Sequence, residues 1–164
     1  MKYDFSTVDL KRVAKEVIDE QTPTARQHKL EITLMVDDKE NYTVRADFGK
    51  IKQVVGNIID NAIKYTPQGS ILVTLTRDEV KHTITVAVAD TGLGIAKDAL
   101  PLLFEKFERA RNARQTNVSG TGLGLFLAKE IMKAHRGHVW AESQGEGKGS
   151  TFFLEFKINV IIGS

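Results

Sequence analysis

Three glycines fall at alternate positions in SGTGLGLFLAKEIM, residues 119–132, and the run passes straight into a helical pattern. Backbone without Cβ atoms can fold closely round an anion. Free amides at a helix start, with the helix dipole, favour negative charge there. The dinucleotide fingerprint G-x-G-x-x-G requires a glycine where Leu125 stands. The phosphate loop G-x-x-x-x-G-K-[ST] fails because Gly147-Lys148 is followed by Gly149. The protein-kinase glycine loop comes with its own Lys, H-R-D and D-F-G partners, and none is present. What remains is G-x-G-x-G over Gly120, Gly122 and Gly124. By itself it reads either as a phosphate cradle or as a flexible loop that ends at a helix.

The segment DFGKIKQVVGNIIDNAIKYT carries the next candidate chemistry. Ile51, Val55, Ile58 and Ala62 recur at helical spacing and form a core stripe. A different face carries Gln53, Asn57, Asp60, Asn61 and Lys64, neighbours at three and four residues apart. A solvated polar face gives the same pattern. Two features point further. Asn is a poor helix-interior residue, and Gly56 in mid-helix costs ~1 kcal/mol relative to Ala, which suggests close approach of a backbone or ligand. Carboxamide oxygens suit Mg²⁺, and Lys64 suits a phosphate.

In VAVADTGLGI an alternating strand ends at Asp90 and turns through Gly92 and Gly94. A carboxylate fixed at a strand end can accept from the exocyclic amine of adenine; a turn-capping Asp gives the same sequence. LFEKFERARNAR offers Phe104 and Phe107, then Arg109, Arg111 and Arg114. Phenylalanines could anchor a loop and arginines could meet phosphate oxygens bidentately, although an ordinary amphipathic segment reads alike.

These residues must be carried by regular elements. VDLKRVAKEVIDE, residues 8–20, has helical spacing, with Thr7 or Asp9 near its start. Pro23 is expected to interrupt that helix, with a further turn to about His28. LEITLMV and YTVRAD are candidate strands. Asp47 is expected to cap a helix over 48–65 that stops before Pro67. SILVTLTR and KHTITVAVAD should pair as an antiparallel hairpin across Asp78 to Val80, three residues. Residues 91–120 form a long, weakly patterned loop with a short helix at 97–104; such loops are usually functional or disordered. A helix over 122–135 and the strands GHVWAES and STFFLEFKI close the chain. The pattern predicts an α+β fold: a two-layer sandwich with a mixed, mainly antiparallel sheet of about five strands and three main helices on one face.

The chain has 164 residues, one domain's worth, and a formal charge of +2, which gives no electrostatic case for nucleic acid as a partner. It has no cysteine, so disulfides, thiol catalysis and cysteine metal sites are excluded. No apolar run approaches the ~20 residues of a membrane span, and the first residues lack a signal-like apolar stretch.

Taken in order, NIIDNAIKYTP, DTGLGI, LFEKFERA and GTGLGL resemble the N box, first glycine box, F box and second glycine box of the ATP-binding catalytic domain of bacterial sensor histidine kinases, within the GHKL ATPases. GHVWAESQGEGKGSTFFLEF resembles the final hairpin of that domain, and the resemblance covers nearly the whole chain. It implies the Bergerat fold over residues 1–164 as a single domain, with an ATP lid at about 92–120. It implies that Asn61 coordinates Mg²⁺ with Asn57 near metal and phosphates, that Lys64 contacts the phosphate chain, and that Tyr65 borders base or ribose. Asp90 would bond the adenine amine, backed by Gly92 and Gly94 with Ile95 closing the box. Arg109 would approach the terminal phosphate. Gly120, Thr121, Gly122, Leu123, Gly124 and Leu125 would wrap the phosphates with backbone amides. Ser150 or Thr151 would reach the base through water.

In members that hydrolyse ATP, such as gyrase, the position matching Asn57 is typically a glutamate that activates water; an Asn cannot act as that base. The resemblance therefore implies transfer of the γ-phosphate to a histidine on a separate dimerisation domain, and indirectly to a response regulator. His28, His82, His135 and His138 stand in no such acceptor motif, and His82 reads as a strand residue. The acceptor domain is expected to lie outside this chain, since YDFSTVDLKRVAKEVI resembles the stretch that follows it. A cytoplasmic location, no membrane contact and a monomeric state follow from the same resemblance. Two rivals stand beside it: a regulatory nucleotide-binding module without catalysis, and a GHKL serine kinase of the anti-sigma type.

Overall fold

The computed structural model describes residues 1–105 and 123–158. Eleven elements follow one another: β1 Ser6–Asp9, α1 Leu10–Gln27, β2 Glu31–Met35, β3 Thr43–Ala46, α2 Phe48–Lys64, β4 Ser70–Asp78, β5 Thr83–Asp90, a 3₁₀ turn Leu100–Leu102, α3 Gly124–Ala134, β6 His138–Glu142 and β7 Ser150–Lys157. Five strands form one sheet in the order β2-β4-β5-β7-β6. β2 runs parallel to β4 and the other pairs are antiparallel, the mixed sheet that the pattern predicts.

Strand alternation decides which face is covered. Ile71, Val73, Leu75, Ile84, Val86, Val88, Phe152, Leu154 and Phe156 are all buried, on the face that receives the helices. α2 lies between α1 and α3 and touches both, and it also meets β5. Its buried residues include the predicted stripe together with Val54, Ile59 and Ile63. A fully buried Ile contributes about 1.5–3 kcal/mol, which is why α2 anchors the layer. The other sheet face is half-open, and there the Trp140 and Phe153 rings stack at 5.0 Å. Among the described residues no helix is long and apolar enough to cross a membrane.

Both predicted caps form. Asp9 accepts from the Lys11 amide at 3.0 Å and Asp47 from the Lys50 amide at 3.0 Å. Four expectations need correction. Pro23 does not interrupt α1, which continues to Gln27. Proline there removes one helical donor on the exposed side, while Ala25, 1% exposed, ties the last turns to the core. (YTVRAD forms its expected strand, β3, which pairs with β1, too short to show a period, in a separate two-stranded ribbon.) The β4–β5 turn is longer than expected, because Asp78 still pairs with Thr83 and its carboxylate accepts from the Val80 and Lys81 amides. His82 therefore lies in the turn, at φ 54°, and not in a strand. Finally, the helix expected over 97–104 is only the 3₁₀ turn, since Pro101 supplies no amide to a longer one.

One buried polar residue ties the two layers to the amino-terminal segment. His135, 2% exposed, lies 2.7 Å from the Ile131 carbonyl through Nδ1, and its Nε2 accepts the Asp47 amide at 3.0 Å. Nδ1 therefore carries the proton. Tyr3 and Phe5 pack edge-on against the ring. Burial holds the His135 pKa below its ordinary 6.5, against the pull of the Asp47 carboxylate. The unfolded chain thus takes up this proton at a higher pH than the folded chain, and stability should fall as pH drops below about 6.5. Denaturant midpoints at about pH 7.5 and about pH 5.5 should lie further apart for the native protein than for His135→Gln. Equal separation would show that His135 titrates alike in both states.

Candidate functional site

The site forms where the carboxyl ends of α2 and β5 meet the loop between β6 and β7. β5 ends at Asp90, whose inward-facing side chain is 7% exposed. Its Oδ1 accepts the Gly92 amide at 2.9 Å and its Oδ2 accepts the Ser150 hydroxyl at 2.8 Å. Burial raises the Asp90 pKa, and these bonds oppose that rise. A carboxylate has about four lone-pair positions, so each oxygen keeps capacity for a further donor. Beside it lies the fully buried Thr66 hydroxyl, short of strict hydrogen-bond geometry but near enough to the Asp90 carboxylate to help hold its pKa down. A buried acceptor carboxylate with a hydroxyl beside it fits the edge of a purine, which offers an amine donor next to a ring-nitrogen acceptor.

The turn after β5 is seated against α2. Leu93 donates to the Tyr65 carbonyl at 2.9 Å, so this turn satisfies an orphan carbonyl at the end of α2. Gly92 packs so closely on Tyr65 and Thr66 that a Cβ has no room. Ile95 is buried, 5% exposed, and takes part in the core.

On the polar face of α2, Asn57 donates through Nδ2 to the Gly124 carbonyl at 3.2 Å, which places its carboxamide at the start of α3. Leu123 precedes α3 as its cap and offers no side-chain cap bond, and the positive end of the helix dipole there favours an anion. Leu125 is half-buried against the core. Asn61 lies one turn further along the Asn57 face. Lys64 pairs with Asp60 at 3.0 Å, with the two side chains 38% and 43% exposed. An exposed i,i+4 pair contributes about 0.3–0.5 kcal/mol, so it orients the ammonium without locking it away from a phosphate.

Gly56 shows no described atom within 4 Å of where its Cβ would stand, apart from its own helix. The expected close backbone approach is thus not seen among the described residues. Gly56→Ala should stabilise the fold by about 0.5–1 kcal/mol, read as a rise in melting temperature of about 1–4 °C. A lowered melting temperature would overturn this. A rise in melting temperature combined with weaker nucleotide binding would show that a ligand occupies the space.

The predicted residues lie on three elements: Asn57, Asn61 and Lys64 on α2 with Tyr65 as its cap, Asp90, Gly92, Gly94 and Ile95 on β5 and its turn, and Leu123, Gly124 and Leu125 at the head of α3; contacts join Asn57 to Gly124, Tyr65 to Leu93, and Asp90 to Gly92. Arg109, Gly120, Thr121 and Gly122, with Phe107, Arg111 and Arg114, lie outside the described residues. Of the two candidates on β7, Ser150 is the one that meets Asp90. Thr151 is its neighbour on the strand and makes no described bond to Asp90; both residues line a cleft of about 410 Å³ together with Asp90, Glu142, Lys148 and Phe153. Thr66 and Ser143 were not legible beforehand. Thr66 sits in no periodic pattern, and the contacts of Ser143 reach residues 48 positions away.

Residues 46–160 match the family model for the histidine kinase-, DNA gyrase B-, and HSP90-like ATPases. The chain is 38% identical to the sensor histidine kinase WalK of Bacillus subtilis (strain 168) over 94% of its own length and 26% of that protein's. It is 36% identical to the sensor-like histidine kinase SenX3 of Mycolicibacterium smegmatis, over 92% and 38% of the two lengths. It thus spans well under half of these relatives. Among solved structures it resembles full-length ShkA in complex with AMPPNP, with a TM-score of 0.82, 27% identity, and 99% and 33% of the two chains covered. It also resembles the nucleotide-free catalytic domain of the histidine kinase ThkA, with a TM-score of 0.80, 28% identity, and 94% and 95% covered. The chain belongs to the family of histidine kinase-, DNA gyrase B-, and HSP90-like ATPases.

Proposed function

We propose that this chain binds Mg·ATP and donates its γ-phosphate to a histidine on a separate helical dimerisation domain. The observation that carries the reading is Asp90: a buried carboxylate, held by the Gly92 amide on one oxygen and the Ser150 hydroxyl on the other, with the Thr66 hydroxyl beside it. That pair recognises an adenine edge. The phosphates would then run along α2, past Lys64 and Asn57, toward the amino-terminal end of α3, where the helix dipole favours an anion. Asn61, with Asn57 close by, is the residue to hold Mg²⁺ together with phosphate oxygens. The metal would neutralise charge on the phosphates when bound. Phosphoryl transfer needs positioning and charge neutralisation more than covalent help from the protein. An acceptor imidazole nitrogen would form the new bond to the γ-phosphorus as the bond to the bridging oxygen breaks, and ADP leaves. No glutamate stands at position 57 to activate water, which favours transfer over hydrolysis.

In this reading residues 1–164 act as one nucleotide-binding unit with a lid at about 92–120, Arg109 meets the terminal phosphate, and the unit is monomeric. ATP and the relay to a response regulator place it on the cytoplasmic side. The test mixes the chain with a histidine-bearing domain from a related kinase, radiolabelled ATP and Mg²⁺. Acid-labile label on that domain is expected. Acid-stable label would indicate serine transfer, and ATP binding with no label on the partner would indicate a regulatory module.

A further inference from the structure

We infer that Ser143 is a positioning residue for base recognition: its hydroxyl pins the β6–β7 loop to the turn after β5 and thereby aims Asp90. The inference rests on the adenine reading above. Ser143 Oγ accepts the Ile95 amide at 3.0 Å and the Gly145 amide at 3.2 Å, and donates to the Gly149 carbonyl at 2.7 Å. One donor and two acceptor positions are the whole capacity of a hydroxyl, so Ser143 is fully satisfied.

The segments it joins are those that hold Asp90. From the turn, the Gly92 amide donates to Oδ1. From the start of β7, where the loop ends, Ser150, next to Gly149, donates its hydroxyl to Oδ2. The Gly149 amide returns to the Gly92 carbonyl at 3.2 Å, and the Gly147 amide to the Leu93 carbonyl at 2.6 Å. Each oxygen of the carboxylate is therefore fixed from a different segment, and Ser143 is one bond from both. Lost registry between them would turn the carboxylate relative to Thr66. The effect falls on the acceptor for the exocyclic amine, not on the phosphate end near Asn57 and Lys64.

That selectivity gives a readout that lost stability would not move. Inosine triphosphate has the same phosphates but a carbonyl where adenine has its amine. Calorimetric titration of the chain with ATP and with ITP measures the preference for the amine. Ser143→Ala should lower the ATP-over-ITP ratio about tenfold, with most of the change in ATP affinity. Ser143→Thr, which keeps the hydroxyl, should retain the ratio. A native ratio in folded Ser143→Ala overturns the inference. If Ser143→Ala does not fold, Ser143→Cys, a weaker hydrogen-bonding group, should show an intermediate ratio, and a native ratio there is equally fatal. A native protein without preference for ATP would instead overturn the adenine reading itself, and this inference with it.

Discussion

Asp90→Asn is expected to lower ATP affinity about ten- to a hundredfold while leaving the fold as stable as before or more so. The two halves of this expectation have separate causes. Asn retains an oxygen to accept the Gly92 amide, and its amide nitrogen can donate to the Ser150 hydroxyl oxygen, so neither present bond is orphaned. The change also removes a charge from a site where burial raises the carboxyl pKa above its ordinary 3.8. With the folded pKa raised, the folded state holds its proton to a higher pH than the unfolded state. Asp90's contribution is thus largest below pH 3.8 and is lost as pH rises through the folded value. At neutral pH the ionised group is a net cost to the fold, and Asn removes it. Binding responds the other way, because the adenine amine loses an anionic acceptor. Calorimetric titration with ATP and a thermal melt of the same variant read both halves. Native affinity combined with a lowered melting temperature would mean that Asp90 only caps its turn.

That dual possibility was already visible in VAVADTGLGI, and only three-dimensional context separates its two parts. Asp90 does both: Oδ1 closes the turn to Gly92, while burial and the neighbouring Thr66 hydroxyl set up an acceptor site. What the chain writes locally could be read directly. The stripe of α2, both aspartate caps and the alternation of β4, β5 and β7 depend on residues a few positions apart, and these elements formed where expected. The misreadings share a cause in tertiary contact. Ala25 carries α1 past a proline, and β1 exists because it pairs with β3 far along the chain. The choice of Ser150 over Thr151 depends on the register that sets Asp90 opposite Ser150 across β5 and β7, which no local pattern states. Ser143 joins loops that only the closed sheet brings together.

Gly92→Ala should produce a large loss of stability, because the added methyl group meets backbone that no side-chain movement can relieve. An added Cβ would stand 2.9 Å from the Thr66 Cα and 2.7 Å from its hydroxyl oxygen, and closer still to the Tyr65 carbonyl oxygen. Two of these atoms are backbone, and the Tyr65 carbonyl is already held by the Leu93 amide at 2.9 Å. Relief requires the end of α2 to part from the turn. That breaks the Leu93 bond, shifts the Gly92 amide off Asp90, and strains the Gly149 bond to the Gly92 carbonyl. Overpacking of side chains alone typically costs 1–3 kcal/mol; a backbone clash with two or three dependent hydrogen bonds should cost about 3 kcal/mol or more. For a domain of this size that corresponds to a melting temperature lower by about 6–12 °C. The contrast with Gly56→Ala is sharp, since that glycine faces open space and should tolerate the same methyl group with a gain. In Gly92→Ala the remaining folded protein should also bind ATP more weakly, because the Asp90 carboxylate is no longer held on its Oδ1 side. A melting temperature within about 2 °C of the native value would show that α2 and the turn do not pack this closely, and the seating of the adenine site against the end of α2 would have to be redrawn.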